Sequence, residues 1–217
     1  MNVTDTNMPK AIVFDFGNVV AFFDHDSAWE RIARERGLAA ASMRRRLSER
    51  GFAALLARYE SGLTTSDGFR RGLEAMLEIE LAEADLERAW GGIFRLNEAV
   101  AAILPQLKAG GVRLVLGSNT NEIHAKRFLH EYATTMSSFD AIVLSFEIGR
   151  LKPAAEFYAE CVIAARAAAE ECLFVDDRLE NVEGAMRAGL TGLLYRDSAG
   201  LIDDLTRLGF DCGVSLS

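Results

Sequence analysis

The sequence predicts an α/β protein: a Rossmann-like parallel sheet core with helices on both faces and an inserted all-helical cap. Three observations carry this. Ala11–Phe14 is a short, continuously apolar, partly β-branched run, and mainly apolar runs of the same buried type recur at Val112–Leu116, Ala141–Ser145 and Cys172–Val175, as in strands buried on both faces. Helical patterns separate the later runs, and strand–helix alternation implies parallel strands joined by right-handed crossovers. Between Ser27 and Phe94 nothing reads as a strand, and the apolar positions follow helical spacing instead. The expected division is therefore a core of residues 10–26 and 95–217 with a cap of residues 27–94.

Taken in order, Met1–Pro9 reads as a loose polar tail. Strand Ala11–Phe14 ends in Asp15 and a bend at Phe16-Gly17-Asn18, and Val19–Phe23 reads as a short extension or flap. Asp26 or Ser27 is the expected N-cap of the first cap helix. That helix stops at Gly37. A second helical region spans Ser42–Tyr59 with Gly51 as a candidate break, a third runs from Ser66 to Leu77, and a fourth from Ala82 to Phe94. Four helices packed by their apolar faces are expected. Arg44-Arg45-Arg46 reads as a solvated helix face.

Beyond Asn97, Glu98–Ala109 reads as a helix with Gly110-Gly111 at its C-terminus; Pro105 inside it predicts a kink or a later start. Helices are expected over Glu122–Tyr132, Ala154–Ala169, Glu180–Ala188 and Leu201–Leu208, with a short edge strand at Leu193–Tyr195.

Composition narrows the function classes. The chain has 217 residues, half of them hydrophobic, and a formal net charge of −8. No long basic run is present, which argues against nucleic-acid and anionic-membrane partners. The N-terminal residues do not resemble a signal peptide and no apolar stretch is long enough to cross a bilayer, so a cytoplasmic location is expected. Cys161, Cys172 and Cys212 read as free thiols. Oligomeric state is left open.

Polar groups follow four predicted strands: Asp15, then Ser118 with Asn119, then Lys152 on a longer loop, then Asp176 with Asp177. Parallel strands put their carboxyl ends on one edge, where ligands bind in open α/β sheets. Carboxylates gathered there repel one another unless a cation joins them, and a hard ion such as Mg²⁺ takes oxygen ligands. Acids on one side, with a lysine, a hydroxyl and an amide on the other, describe a site for a phosphoryl group. His124 and His130, six residues apart on a predicted helix, do not share a face and are not a metal pair.

The stretches Phe14-Asp15-Phe16-Gly17-Asn18-Val19, Ser118-Asn119-Thr120-Asn121, Gly149-Arg150-Leu151-Lys152-Pro153, and Phe174-Val175-Asp176-Asp177 with Asn181-Val182-Glu183-Gly184-Ala185 resemble the motifs of the haloacid dehalogenase-like hydrolase superfamily. More narrowly, they resemble its bacterial alpha-D-glucose-1-phosphate phosphatase-like members. The resemblance covers about Ala11 to Tyr195, and residues 27–94 lie where this superfamily carries a helical cap. Tyr59-Glu60-Ser61-Gly62 resembles the cap loop that reaches over the active site.

The resemblance implies a Mg²⁺-dependent phosphatase acting on a small phosphorylated substrate, most readily a sugar phosphate. It implies Asp15 as the nucleophile that forms an aspartyl-phosphate. Ser118 and Asn119 would hold phosphoryl oxygens, and Lys152 would bridge nucleophile and phosphate. The Gly17 carbonyl, Asp15, Asp176 and Asp177 would hold the metal, and Asn121 would contact substrate. One position departs from the pattern: most phosphatases of the superfamily carry an acid–base aspartate two residues after the nucleophile, where this chain has Gly17. Substitutes considered are water, the leaving sugar, Asp24 and His25. Two rival readings stand beside the phosphatase: a metal-independent 2-haloacid dehalogenase, which also lacks the second aspartate, and a non-catalytic protein that binds phosphorylated ligands.

Overall fold

A computed structural model describes residues 8–213; residues 1–7, most of the expected tail, lie outside them. The chain runs β1 (Ala11–Phe14), β2 (Ala21–Phe23), α1 (His25–Glu35), α2 (Ala40–Glu49), α3 (Phe52–Glu60), α4 (Ser66–Leu77), α5 (Glu83–Gly91) and β3 (Phe94–Leu96). It continues with α6 (Glu98–Ala109), β4 (Arg113–Ser118), α7 (Glu122–Glu131), the single turn α8 (Ala133–Met136), β5 (Ala141–Leu144) and the single turn α9 (Ser145–Ile148). Then follow α10 (Ala155–Ala165), β6 (Cys172–Asp176), α11 (Leu179–Arg187), β7 (Thr191–Leu194) and α12 (Ser198–Arg207).

Five strands form one sheet in the order β5-β4-β1-β6-β7, every neighbouring pair parallel. β1 is central: Val13 pairs with Val115 on one side and Phe174 on the other. Its four residues have no exposed surface, and alternation sorts them onto two faces. Ile12 and Phe14 join the layer of α6 and α12, while Ala11 and Val13 join that of α10 and α11. This accounts for the unbroken apolar run in the sequence.

The cap has its own core, in which Trp29, Phe69, Leu73 and Trp90 are buried. It contains five helices, not four. Gly51 takes φ +84 and divides the Ser42–Tyr59 region into α2 and α3. The break follows from the left-handed backbone, which glycine adopts without a Cβ clash. α1 begins at His25, and its N-cap is Asp24, whose carboxylate accepts from the Asp26 amide at 2.9 Å. Neither Asp26 nor Ser27 is the cap.

The cap is slung from a two-stranded ribbon. β2 and β3 pair antiparallel, Phe22 opposite Arg95, so the outgoing and returning chains are tied together. The expectation of no strand as far as Phe94 misses only this residue, where β3 begins. Three-residue strands carry no period that a sequence reading can detect.

α6 runs from Glu98 to Ala109 with Pro105 inside it, so of the two expectations the later start is not met. β7 starts at Thr191, two residues before the expected edge strand. Gly192 hid it: a Cβ there would lie 2.7 Å from Val182 and 2.9 Å from Met186, so glycine lets α11 pack closely. α10 ends at Ala165 because Arg166 turns left-handed, φ +52. All three cysteines are free and buried. Among the described residues no helix is long and apolar enough to cross a membrane.

The cap loop docks on the core through Gly62. Its φ is +67, and an added Cβ would sit 2.2 Å from the Phe146 carbonyl oxygen. The Gly62→Ala variant is therefore expected to lose about 1–3 kcal/mol of stability, read as a lower denaturant midpoint; an unchanged midpoint would show that this docking is loose.

Candidate active site

The carboxyl ends of β1, β4 and β6 and the loop after α9 meet at one point. Asp15 follows β1; its amide donates to the Val175 carbonyl at 2.8 Å and its Oδ1 accepts from the Phe16 amide at 2.8 Å. Phe16 is buried, its ring stacked on Phe128 with centroids 4.0 Å apart. With Phe16 anchored in the core, the adjacent carboxylate is turned to the sheet edge.

Lys152 Nζ is the centre of the site. It donates to Asp15 Oδ1 and to Asp176 Oδ2, each at 2.7 Å, and to the Gly117 carbonyl at 3.1 Å. Its side chain is 1 % exposed. Asn119 sets the backbone of Lys152: its Nδ2 donates to the Lys152 carbonyl at 3.1 Å, and its Oδ1 accepts from the Lys152 amide at 2.8 Å.

Asp176 is fully buried. Its oxygens accept from Lys152, from the Arg178 amide at 2.9 Å, and from Asn181 Nδ2 at 3.0 and 3.1 Å. Asp177 is less encumbered; its Oδ2 accepts from Asn18 Nδ2 at 3.0 Å.

The acidic groups converge. One oxygen from each of Asp15, Asp176 and Asp177 lies within 4.8 Å of the others. Burial pushes the Asp15 carboxyl up to about 7, with Asp176 and Asp177 adding to the rise and Lys152 opposing it. Lys152 is held above its ordinary range: burial works against its charge, but the two carboxylates outweigh it. Lys152 neutralises part of the charge of three converging acids, bonding two of them, so a further cation would relieve the remaining repulsion. A set of converging carboxylate oxygens suits a hard divalent ion.

A cavity of about 60 Å³ lies between cap and core, lined by Gly17, Phe23, His25, Glu60, Ser118 and Asn119 among others. Ser118 is buried, with only a long 3.4 Å contact to the Asn119 carbonyl; its hydroxyl is available to a ligand. Asn119 lines the cavity, but its amide is committed to Lys152, which makes it a positioning residue.

Asn121 is the clear departure from expectation. It has no exposed surface and caps α7, its Oδ1 accepting from the His124 amide at 3.1 Å and its Nδ2 meeting His124 Nδ1 at 3.0 Å. In this structure the amide is engaged by the helix cap and is not among the groups lining the cavity. Asp24 is likewise spent on capping α1. His25 does line the cavity, stacked on Trp90 with centroids 4.9 Å apart.

Three residues gain a place at the site that the sequence did not assign individually, although Glu60 lies in the stretch that resembles the cap loop. Glu60 lines the cavity from the end of α3, and burial pushes its carboxyl up to about 7, against Arg178 and Lys152. Ser145, at the end of β5, bonds the Thr120 amide at 2.9 Å and lies 2.6 Å from the Glu60 carbonyl, joining cap to core. Phe23 abuts Gly17: a Cβ on residue 17 would sit 2.9 Å from its ring. The resemblance of Tyr59-Glu60-Ser61-Gly62 to a cap loop was the signal for Glu60; Ser145 had none.

Removing the central ammonium leaves two buried carboxylates facing each other. Lys152→Met is expected to cost about 3–5 kcal/mol, measured by urea unfolding in EDTA at neutral pH. In that variant the folded-state carboxyl pKa values lie above their unfolded values, so folding takes up protons. The deficit should then shrink as pH falls through the folded values. A pH-independent loss would point to packing instead.

The haloacid dehalogenase-like hydrolase family matches residues 9–189 of the chain. D-ribitol-5-phosphate phosphatase of Bacteroides thetaiotaomicron is 30 % identical over 208 residues, covering 92 % of this chain and 98 % of that protein. A predicted hydrolase of this kind from Porphyromonas gingivalis superposes with a TM-score of 0.76 at 28 % identity, over 94 % of this chain and 99 % of that one. A haloacid dehalogenase family enzyme of B. thetaiotaomicron, crystallised with magnesium and inorganic phosphate, has a TM-score of 0.73 at 21 % identity, over 89 % and 98 % of the two chains. With the motif strands, the inserted cap and the converging acids in place, the chain belongs to the haloacid dehalogenase-like hydrolases.

Proposed function

We propose that this hydrolase is a Mg²⁺-dependent phosphatase that cleaves a small phosphorylated metabolite, a sugar or polyol phosphate, through an aspartyl-phosphate on Asp15. The observation that carries this reading is the Asp15 carboxylate held 2.7 Å from Lys152 beside Asp176 and Asp177. The name of the ribitol-phosphate relative and the magnesium and phosphate bound by the structural neighbour point the same way.

Asp15, the Gly17 carbonyl and Asp177 are the assigned metal ligands, with Asp176 contributing less directly because its oxygens already accept four contacts. The ion supplies positive charge that screens carboxylate from phosphate. Asp15 Oδ2, the oxygen not engaged by Lys152 or the Phe16 amide, attacks phosphorus. Lys152 and Ser118 stabilise the phosphoryl oxygens as their charge redistributes. Water then cleaves the acyl phosphate and restores Asp15.

The cavity is formed by groups of both cap and core, Glu60 and His25 facing Gly17 and Ser118, so movement of the cap would open and close access to it. A metal-independent dehalogenase leaves the Asp177–Asn18 pair without a role, so the phosphatase reading is preferred.

Phosphate release from p-nitrophenyl phosphate with Mg²⁺, abolished by EDTA, is the primary test. Asp15→Asn should be folded and inactive; turnover in that variant would reject the nucleophile. Loss of an outer-shell partner alone typically costs about 10–100-fold in metal affinity. Asp177→Asn should raise the Mg²⁺ concentration for half-maximal activity by at least about 10-fold, and an unchanged requirement would move the ion elsewhere.

A further inference from the structure

Phosphomonoester hydrolysis needs a proton twice: one is delivered to the departing alkoxide and one is taken from the attacking water. The turn after the nucleophile cannot supply either. Phe16, Gly17, Asn18, Val19 and Val20 carry no titratable group. Nor is there space for one at position 17, where the Phe23 ring lies 2.9 Å from the site of a Cβ.

The titratable side chains lining the cavity are His25, Glu60 and His124. His124 is excluded because both ring nitrogens are engaged, Nδ1 with Asn121 at 3.0 Å and Nε2 with the Trp90 carbonyl at 3.1 Å. Its burial also holds it neutral, far below the ordinary histidine range. His25 is stacked on Trp90 and tilted against Phe23, and burial lowers it, with Asp24 and Asp26 opposing. Burial disfavours the protonated imidazole that would have to carry the proton for the alkoxide.

Glu60 remains. The cap loop is fixed where it meets the core: Ser145 Oγ lies 2.6 Å from the Glu60 carbonyl, and Gly62 rests on Phe146. The side chain is thereby held at the cavity that contains Gly17 and Ser118. We propose that Glu60, carried in by the cap, donates the proton to the leaving alkoxide and then accepts one from the hydrolytic water. This rests on the phosphatase reading above.

The steps balance. As the Asp15 O–P bond forms, the P–O bond to the alcohol breaks and the Glu60 proton passes to the alkoxide oxygen. The Glu60 carboxylate then takes a proton from water as the water oxygen bonds to phosphorus. The P–O bond to Asp15 breaks, releasing phosphate, and Glu60 is again protonated. Burial pushes its carboxyl up to about 7, against the charges of Arg178 and Lys152, with His25 the other ionisable group on the cap side. That range serves both directions of transfer. Only the closed cap brings the acid to the site, so chemistry is tied to closure.

The test uses the Mg²⁺-loaded full chain and p-nitrophenyl phosphate, whose leaving group departs without needing a proton. In Glu60→Gln the first step should persist and the second should stall. A burst of about one p-nitrophenolate per enzyme should precede steady turnover reduced by about 10²-fold or more. Steady turnover and pH profile within about threefold of wild type would overturn the assignment, as would a rise in KM with kcat unchanged, which marks a binding residue. Should Glu60→Gln fail to fold, Glu60→Ala with added acetate decides: restored turnover supports the proton role and none overturns it. A wild-type chain with no phosphatase activity sinks the phosphatase reading itself. An active wild type, with Asp15→Asn silent and Glu60→Gln unaltered, sinks only this proposal.

Discussion

One ammonium holds the site together. Lys152 lies between Asp15 and Asp176 with both contacts at 2.7 Å and almost no solvent access. A buried charge is costly unless paired and hydrogen-bonded, and here each partner depends on the other two. Asn119 clamps the lysine's backbone from β4. Asn181 and the Arg178 amide orient Asp176 from the start of α11. The sheet order places β1 between β4 and β6, so the three loops have a single meeting place. The fold's contribution to chemistry is this convergence, which no one segment could produce.

The sheet was readable because its strands are buried on both faces, which leaves long apolar runs. β1 and β6, without a residue of exposed surface, gave the strongest signals. The ribbon of β2 and β3 was half visible: Val19–Phe23 read as a flap, but its partner at Phe94–Leu96 is too short to show a period. Gly192 concealed the start of β7 for a tertiary reason, the close approach of α11. Pro105 left the start of α6 open in the sequence, and the structure keeps one helix from Glu98 to Ala109 with the proline inside it.

In the site, residue types were legible and their divisions of labour were not. The sequence order of the motifs brought together Asp15, Ser118, Lys152, Asp176 and Asp177, and the structure sets them side by side. Asn119 and Asn121 look interchangeable in Ser118-Asn119-Thr120-Asn121, yet one clamps Lys152 and the other caps α7. Which amide faces which partner is decided by backbone direction at the end of β4. Glu60 and Ser145 lie 85 positions apart in the chain, and only the docked cap shows that they meet.

The paired ribbon beneath the cap has a mechanical meaning. Two separate tethers would let the five-helix paddle swivel about either attachment. Strands bonded from Ala21–Leu96 to Phe23–Phe94 resist sliding past each other and bend most easily out of their own plane. A ribbon of this kind favours bending about one axis over independent swivelling of the two tethers.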